Sequence, residues 1–368
     1  MKKNVLRITG ILALVGALAT GCGQTPGSIG AEAADHEASV TPKAEPTAAE
    51  EEDSTVTEVE AEEEKDVTED AVTIRIAVQK STYSPILTNA LGYFDDAFTN
   101  SETNVELVEF SQGSAMIESI NSDEVDFAFL GDLPAFSGLV NGGEYTIVGK
   151  YSEDTAKALV VRKDSGIRSL SDLAGHSYAV NFGSNVQPLA EIFLEEAGLT
   201  AADVEYTNLS FADINTALIS GDIDAAVQNE PNLSKLLAAT DEVEVIARAE
   251  GRKVFVGPVI ARNEFLASYP ATTSEFLAAL QKAADWSHEN GAEAVEKIAE
   301  ATGLTPADVE TLFALQDNNV YFTAEQLEGL KKGAADAYKY GLLTEELDVE
   351  AYIDTSYLEA AGINAEKD

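Results

Sequence analysis

From residue 71 onward, apolar and polar positions alternate in a way that predicts strands and helices in turn. Short apolar runs bounded by turn residues are typical of buried strands, whereas apolar positions spaced three and four residues apart are typical of helices. The predicted strands span residues 72–78, 105–110, 125–130, 145–150, 158–162, 177–181, 204–209, 225–228, 243–246 and 254–261. Helices are predicted at 86–100, 114–121, 189–197, 212–220 and 233–239, and over almost all of the chain after residue 273.

This order predicts an α/β fold with mostly parallel sheets and helices on their faces. The series of strands begins anew after residues 162–166 and returns near residues 253–259. We therefore predict two lobes joined by two hinge crossings, with the late helices packed on the first lobe. Lobe 1 would comprise residues 71–163 and 258–368, and lobe 2 residues 164–257. A cleft between them would suit a small molecule, because ligands of open α/β sheets bind beyond the carboxyl ends of strands.

The turns that follow the predicted strands carry residues suited to such a cleft. The candidate ligand-binding residues are Gln79, Ser81, Tyr83, Gln112, Gly113, Gly131 and Asp132 in the first lobe and Phe182, Gly183, Ser184, Asn185 and Glu230 in the second. Most of these turns open a predicted helix, whose first N–H groups are unpaired and attract anions. We place an anionic group of the ligand at the turn of residues 183–185, where a glycine lets the backbone approach closely.

Helix capping is an alternative explanation for some of these residues. Asp132, Ser184 and Asn185 would cap a helix in any α/β protein. Glu230 differs, because glutamate is not a preferred cap residue and Pro231 follows it at the predicted first helical position. A polar contact from Glu230 to a ligand or to the opposite lobe is therefore a further interpretation.

The start of the chain predicts export and lipid attachment. Lys2, Lys3 and Arg7 precede an apolar run over residues 8–19, and Thr20 and Gly21 then lead to Cys22, the single cysteine. This pattern is typical of a lipoprotein signal at residues 1–21 that is cut before Cys22, whose thiol is then acylated. An ordinary secretory signal with a chance cysteine is the alternative. With one cysteine, no internal disulfide can form.

Residues 22–70 predict an acidic, disordered tether. They are rich in Ala, Glu, Thr and Pro, and such a segment cannot bury enough apolar surface to offset its ordering entropy. The whole chain has a formal net charge of −42. A charge of this sign excludes binding to nucleic acid by net charge, since the phosphate backbone is itself anionic.

The sequence offers little for catalysis or for metal binding. The three histidines, His36, His176 and His288, have none of the spacing of a zinc site. No nucleophile elbow, phosphate loop or Cys–His pairing occurs. We therefore expect a protein without catalytic residues, metal or cofactor.

Residues 73–362 resemble the sulfonate, nitrate and taurine class of ABC-transporter substrate-binding proteins, which includes thiamin-precursor binders. The resemblance rests on residues 74–80, 108–113, 125–134, 166–175, 181–184 and 221–225, of which Ser169-Leu-Ser-Asp-Leu-Ala-Gly175 is shared widely among two-lobed binding proteins. It implies a two-lobed periplasmic-binding-protein-like fold of type II. It also implies delivery of a solute to a permease with a separate cytoplasmic ATPase, a role that fits the predicted lipid anchor at the outer face of the cell membrane. We expect the protein to be a monomer.

The resemblance favours a small anionic or zwitterionic ligand, with an aliphatic sulfonate or taurine first. Sulfonate binders often carry a tryptophan where this chain has Gln228, and Trp286 falls in the late helical region, where we expect it to pack in the core. Taurine could place its sulfonate at residues 183–185 and its ammonium at Glu230 or Asp132. Nitrate, bicarbonate and a thiamin-precursor pyrimidine remain alternatives, as do a dehydratase-type enzyme and a sensor with the same fold.

Overall fold

The computed structural model describes residues 72–99, 101 and 103–364. The first series of elements is β1 (Thr73–Val78), α1 (Tyr83–Ala90), α2 (Tyr93–Ala97), β2 (Asn104–Glu109), α3 (Gly113–Asn121), β3 (Phe127–Phe129), α4 (Asp132–Val140) and β4 (Tyr145–Asp154). The second is β5 (Lys157–Arg162), β6 (Ser177–Val180), α5 (Gln187–Glu196), β7 (Glu205–Asn208), α6 (Phe211–Ser220), β8 (Ala225–Asn229), α7 (Asn232–Ala239) and β9 (Val243–Arg248).

A return strand and a run of helices follow. They are β10 (Phe255–Arg262), α8 (Asn263–Ser268), α9 (Pro270–Glu289), α10 (Gly291–Thr302), α11 (Pro306–Phe313), α12 (Ala324–Lys339) and α13 (Ser356–Ala360). Short 3-10 helices lie at Leu170–Leu173, Ala201–Asp203 and Val349–Tyr352. The predicted signal, Cys22 and the predicted tether lie outside the described residues.

The strands form two five-stranded sheets with the same plan. The first has the order β2-β1-β3-β10-β4, and the second has the order β7-β6-β8-β5-β9. In each sheet four strands run in the same direction, and the fourth in the order, β10 or β5, pairs antiparallel with both of its neighbours. The predicted two-lobed α/β fold with mostly parallel sheets is confirmed, because four of the five strands in each described sheet run in the same direction.

The first crossing between lobes comes earlier than the sequence predicts. Residues 158–162 were assigned to lobe 1, with the crossing at 162–166, but β5 pairs with β8 and β9 in the second sheet. The chain therefore changes sheets between β4 and β5, at residues 155–156, and returns between β9 and β10, at residues 249–254. Residues 158–161 are all buried, and a run that is apolar on both faces carries no periodicity that could assign it to a sheet.

The late helices are fixed to the first sheet by a group of aromatic rings. The ring of Phe276 on α9 lies 4.5 Å from that of Phe127, 5.3 Å from that of Phe94 and 6.4 Å from that of Phe129, between centroids. Phe276 itself is fully buried. Trp286, further along α9, packs at the edge of a separate apolar cluster, as expected.

A buried lysine joins β4 to the segment before α12. The Lys150 side chain is fully buried, and its Nζ donates to Asp317 Oδ2 at 2.7 Å and to the carbonyl oxygen of Asn319 at 2.7 Å. Burial raises the pKa of the Asp317 carboxyl, but the Lys150 ammonium together with hydrogen bonds from the backbone of Asn319 and the side chain of Gln326 outweighs burial and holds that pKa below its usual value.

This pair predicts a pH-dependent contribution to stability. A carboxyl with a lowered folded-state pKa stabilises the fold above its unfolded-state pKa of about 4, and the contribution is lost as the pH falls through the folded-state pKa. We expect Asp317→Asn to lower the free energy of unfolding by about 1 to 3 kcal/mol at pH 7, because it removes a hydrogen bond between charged groups. The difference from wild type should shrink below about pH 4. Urea unfolding at pH 7 and pH 3.5 would measure it, and a difference that is the same at both would contradict this account.

Candidate functional site

A cleft with a volume of about 590 Å³ lies between the two sheets. Its walls are the loops that follow β1, β2 and β3 in the first sheet and β6, β7 and β8 in the second. All six strands belong to the parallel parts of their sheets, so the cleft lies at their carboxyl ends. This is the position in which open α/β sheets bind ligands.

Most of the residues predicted for ligand binding line this cleft. They are Gln79, Ser81, Gln112, Gly113, Gly131, Phe182, Gly183, Ser184, Asn185 and Glu230. The sequence could find them because each follows a strand whose end faces the opposite sheet. Lining the cleft is a matter of position, and ligand contact by these residues stays a prediction.

Tyr83 and Asp132, the other two candidates, are buried and do not line the cleft. Tyr83 is 1 % exposed and packs in an apolar cluster, where burial raises the pKa of its hydroxyl. Asp132 is 2 % exposed, and its carboxylate accepts from the backbone N–H of Leu133 at 2.8 Å and pairs with the ammonium of Lys253. The buried pairing with Lys253 accounts for the Asp132 carboxylate without a ligand, and its contact with a ligand ammonium stays a prediction.

The turn at residues 183–185 has fewer open donors than predicted. Helix α5 begins at Gln187, so the turn precedes the helix rather than forming its first turn. The backbone N–H of Gly183 donates to Gln187 Oε1 at 2.7 Å, and Ser184 Oγ donates to the carbonyl oxygen of Asn181 at 2.6 Å. Gly183 has a φ of +72°, which glycine adopts without strain. The turn is therefore rigid, and much of its hydrogen-bonding capacity is used within the protein.

Helix α3 offers a more open N-terminus. Gln112 stands at its N-cap in an extended conformation and makes no side-chain cap hydrogen bond. Gln112, Gly113 and Ser114 all line the cleft. A Cβ added at Gly113 would lie 2.8 Å from Cγ of Pro134, so glycine is needed for this close approach. The first N–H groups of α3 are therefore better placed to donate to an anion than those near α5.

Glu230 lines the cleft, but its carboxylate is occupied by its own helix. Oε2 accepts from the backbone N–H of Ser234 at 3.0 Å, and Oε1 accepts from Ser234 Oγ at 3.0 Å. Helix α7 begins at Asn232, with Pro231 at its N-cap rather than at the first helical position. Glu230 thus stabilises the start of α7, and the side-chain oxygens predicted to meet a ligand already have donors.

Comparison with known proteins assigns the family. Residues 83–294 match the family model described as NMT1/THI5 like, which is more than half of the chain. The chain belongs to the NMT1/THI5-like family.

Relatives of this NMT1/THI5-like chain include binding proteins and an enzyme. A Bacillus subtilis (strain 168) protein named as an aliphatic sulfonates-binding protein is 26 % identical over 78 % of this chain and 87 % of its own. The 4-amino-5-hydroxymethyl-2-methylpyrimidine phosphate synthase of Aspergillus parasiticus is 25 % identical over 72 % of this chain and 79 % of its own. The solved alkanesulfonate-binding protein of Xanthomonas axonopodis pv. citri, bound to MOPS, is 24 % identical, covers 77 % of this chain and 99 % of its own, and has a TM-score of 0.69. That structure confirms the fold.

The lining of the cleft in this NMT1/THI5-like protein has equal numbers of basic and acidic residues, and the turns that follow strands did not predict all of them. The charged lining residues are Lys80, Lys157, Lys235, Glu109, Asp154 and Glu230. Asp154 and Lys157 flank the first crossing rather than a strand-to-helix turn. They are therefore not among the residues predicted from the turns that follow strands. The sequence feature that could have identified them is the presence of charged residues next to the apolar run of residues 158–161.

Aromatic rings line the cleft even though no tryptophan stands at position 228. Gln228 is fully buried, and its Nε2 donates to the carbonyl oxygen of Phe211 and to Asn215 Oδ1, each at 2.8 Å. The lining rings are Phe110, Tyr151, Phe182, Phe211 and Phe255. An apolar surface for the carbon skeleton of a ligand is therefore present without a tryptophan at position 228.

The two lobes of this NMT1/THI5-like fold touch across the cleft. A Cβ added at Gly131 would lie 2.9 Å from Cβ of Asn185 in the second lobe. On the α11 side, Lys235 Nζ lies 3.3 Å from Asp308 Oδ2. The described arrangement is thus one in which the lobes approach each other closely. In the described part of the chain, no group of three or more His, Cys, Asp or Glu residues could hold a metal ion.

Proposed function

We propose that the protein is the extracytoplasmic solute-binding protein of an ABC importer and that it captures a small anionic or zwitterionic solute in the cleft. An aliphatic sulfonate or taurine is the favoured ligand. The observation that carries this proposal is the cleft at the carboxyl ends of the parallel strands of both lobes, with the uncapped N-terminus of α3 and Lys157 in its lining. The B. subtilis relative, named as an aliphatic sulfonates-binding protein, supports the sulfonate class.

The proposal makes the protein a carrier rather than an enzyme. Glu230 is the candidate carboxylate of the second lobe that lines the cleft, and it accepts two hydrogen bonds from Ser234. Both oxygens of this carboxylate are therefore engaged with the start of α7 rather than open to a substrate in the cleft. The A. parasiticus synthase makes a pyrimidine phosphate, so a thiamin-precursor pyrimidine stays the second candidate ligand class.

The partners and the location belong to the same proposal. A carrier of this class would deliver its solute to permease subunits with a separate cytoplasmic ATPase, and it would act as a monomer. Acylated Cys22 would hold it at the outer face of the cell membrane, and that residue lies outside the described part of the chain. Among the described helices, none combines the length and the apolar character needed to cross a membrane.

A thermal-shift screen tests the ligand class. The panel would contain taurine, ethanesulfonate, nitrate, bicarbonate and 4-amino-5-hydroxymethyl-2-methylpyrimidine. A ligand bound only by the folded state at a hundred times its Kd stabilises by about 2.7 kcal/mol, which raises the Tm by several degrees. We expect the sulfonates to raise it. A shift with the pyrimidine alone would replace the sulfonate proposal with the pyrimidine one.

Ser184 tests whether the turn of the second lobe takes part in binding. Ser184→Leu should weaken binding of the sulfonate identified in the screen about tenfold, because it places a bulky apolar group in the cleft and removes the hydrogen bond to Asn181. Isothermal titration calorimetry would measure the change. Ser268→Leu, at an exposed position outside the cleft, is the matched control and should bind as wild type does. Unchanged affinity in the Ser184 variant would remove this turn from the site.

A further inference from the structure

Two buried lysine–aspartate pairs lie around one aromatic ring where the chain crosses between the lobes. Lys157 pairs with Asp154 at the first crossing, and Lys253 pairs with Asp132 at the second. The ammonium of Lys157 lies 4.2 Å from the centroid of the Phe255 ring, and that of Lys253 lies 4.9 Å from it. Both pairs are almost wholly buried, but only Asp154, Lys157 and Phe255 line the cleft.

The pair at the first crossing has hydrogen-bonding capacity left over. Lys157 has three N–H donors, and among the described residues its one hydrogen-bond acceptor is Asp154 Oδ1. The same Oδ1 accepts from the backbone N–H of Ala156 at 3.0 Å, whereas Oδ2 accepts from no described residue. The side chains of Lys157 and Asp154 are 5 % and 10 % exposed, and that small exposure is toward a cleft that both residues line.

We propose that Lys157 and Asp154 form a subsite for a zwitterion, in which Lys157 binds the sulfonate of the solute and Asp154 Oδ2 binds its ammonium. This inference rests on the proposed function and narrows its substrate class to aminoalkanesulfonates. Because Asp154 is paired with Lys157, the pair has no net charge to attract a simple anion, and the Asp154 carboxylate would lie close to such an anion in a site of low dielectric constant. An ammonium on the same ligand pairs with that carboxylate and supplies a charge-assisted hydrogen bond.

The other charged groups of the cleft agree with this assignment. Lys80 and Glu109 are both well exposed and lie 4.0 Å apart, Lys235 pairs with Asp308, and Glu230 caps α7. The remaining charges of the lining are the buried Lys157 and Asp154. Their sum is zero, which matches a ligand whose own charges sum to zero. The aromatic lining next to them, above all Phe255, would contact the carbon chain between the two charged groups.

Taurine and ethanesulfonate distinguish the two charges of the subsite, because they share the sulfonate and a two-carbon chain and differ in the ammonium. Calorimetry would measure the Kd of each ligand for wild type, Asp154→Asn and Lys157→Met. We expect wild type to prefer taurine. Asp154→Asn should weaken taurine at least tenfold and leave ethanesulfonate unchanged or tighter, whereas Lys157→Met should weaken both at least tenfold.

Asp132→Asn is the matched control, because it alters the other buried pair at Phe255 without changing the lining of the cleft. It should leave the ratio of the two Kd values at the wild-type value, even if its Tm falls. A loss of folded protein in any variant lowers the active fraction for both ligands alike, so the ratio reports on the subsite alone.

The outcomes separate the subsite from the proposed function. If wild type binds neither sulfonate, the sulfonate function fails and the subsite fails with it. If wild type binds both sulfonates and Asp154→Asn leaves the ratio of their Kd values unchanged, the Lys157–Asp154 pair only stabilises the crossing between the lobes. The same conclusion follows if Asp132→Asn changes that ratio as much as Asp154→Asn does. The subsite would then be withdrawn while the sulfonate function stands.

Discussion

Replacing Gly131 by valine is expected to weaken solute binding by about a hundredfold, which corresponds to roughly 2.7 kcal/mol. Gly131 lies in the first lobe at the start of α4, and a Cβ at this position would come within 2.9 Å of Cβ of Asn185. Real Cβ atoms do not approach so closely, and neither atom is at the end of a flexible side chain. The two lobes would have to separate, and contacts made by one lobe to a solute held by the other would be lost.

Calorimetry with the best sulfonate from the screen would measure the loss. Gly291→Val is the matched control, because a Cβ there meets no atom within 4 Å and Gly291 does not line the cleft. The melting temperature without ligand should change little in either variant, since the effect acts on lobe approach rather than on either core. A folded Gly131→Val protein with wild-type affinity would show that binding does not need the lobes to approach this closely.

Replacing Phe276 by alanine should lower the free energy of unfolding by about 3 to 5 kcal/mol. The ring is fully buried and contacts three other rings between α9 and the first sheet. Its removal loses both the transfer of a large apolar group and the aromatic contacts, and it leaves a cavity that packed neighbours fill only in part. Denaturant unfolding would measure the change.

Tyr338→Ala gives the comparison for Phe276. Tyr338 is an aromatic residue on α12 that is 45 % exposed, so its truncation should cost less than about 0.5 kcal/mol. Phe276→Leu should fall between the two. A loss of under about 1 kcal/mol in Phe276→Ala would mean that α9 is not fixed to the sheet by this ring.

The strands could be predicted from the sequence because apolar runs in this chain are short and well separated. Every predicted strand exists within a few residues, from β1 to β10. The helix predicted over residues 86–100 is instead two helices, α1 and α2, because Gly92 has a φ of +73° and ends the continuous helical path. Apolar spacing continues through such a break, so periodicity alone could not show it.

The walls of the cleft were predictable, and its ion pairs were not. A turn after a parallel strand lies at a known edge of the sheet, which brought residues such as Gln112 and Ser184 to the site. The partner of Asp132 is Lys253, 121 residues away, and nothing local to Asp132 indicates that its carboxylate is buried. Asp154 and Lys157 were missed because the first crossing was placed after β5 instead of before it.

Because β10 lies between β3 and β4, the two lobes are completed in a fixed order during synthesis, when the chain leaves the ribosome N-terminus first. The five strands of the second sheet are contiguous in sequence and are all present once residue 248 has emerged. The first sheet lacks an interior strand until residue 262, and until then β3 and β4 have unpaired edges toward each other. The lobe that begins first is therefore completed last, and the unpaired edges of its sheet are the part of the nascent chain most in need of protection from aggregation.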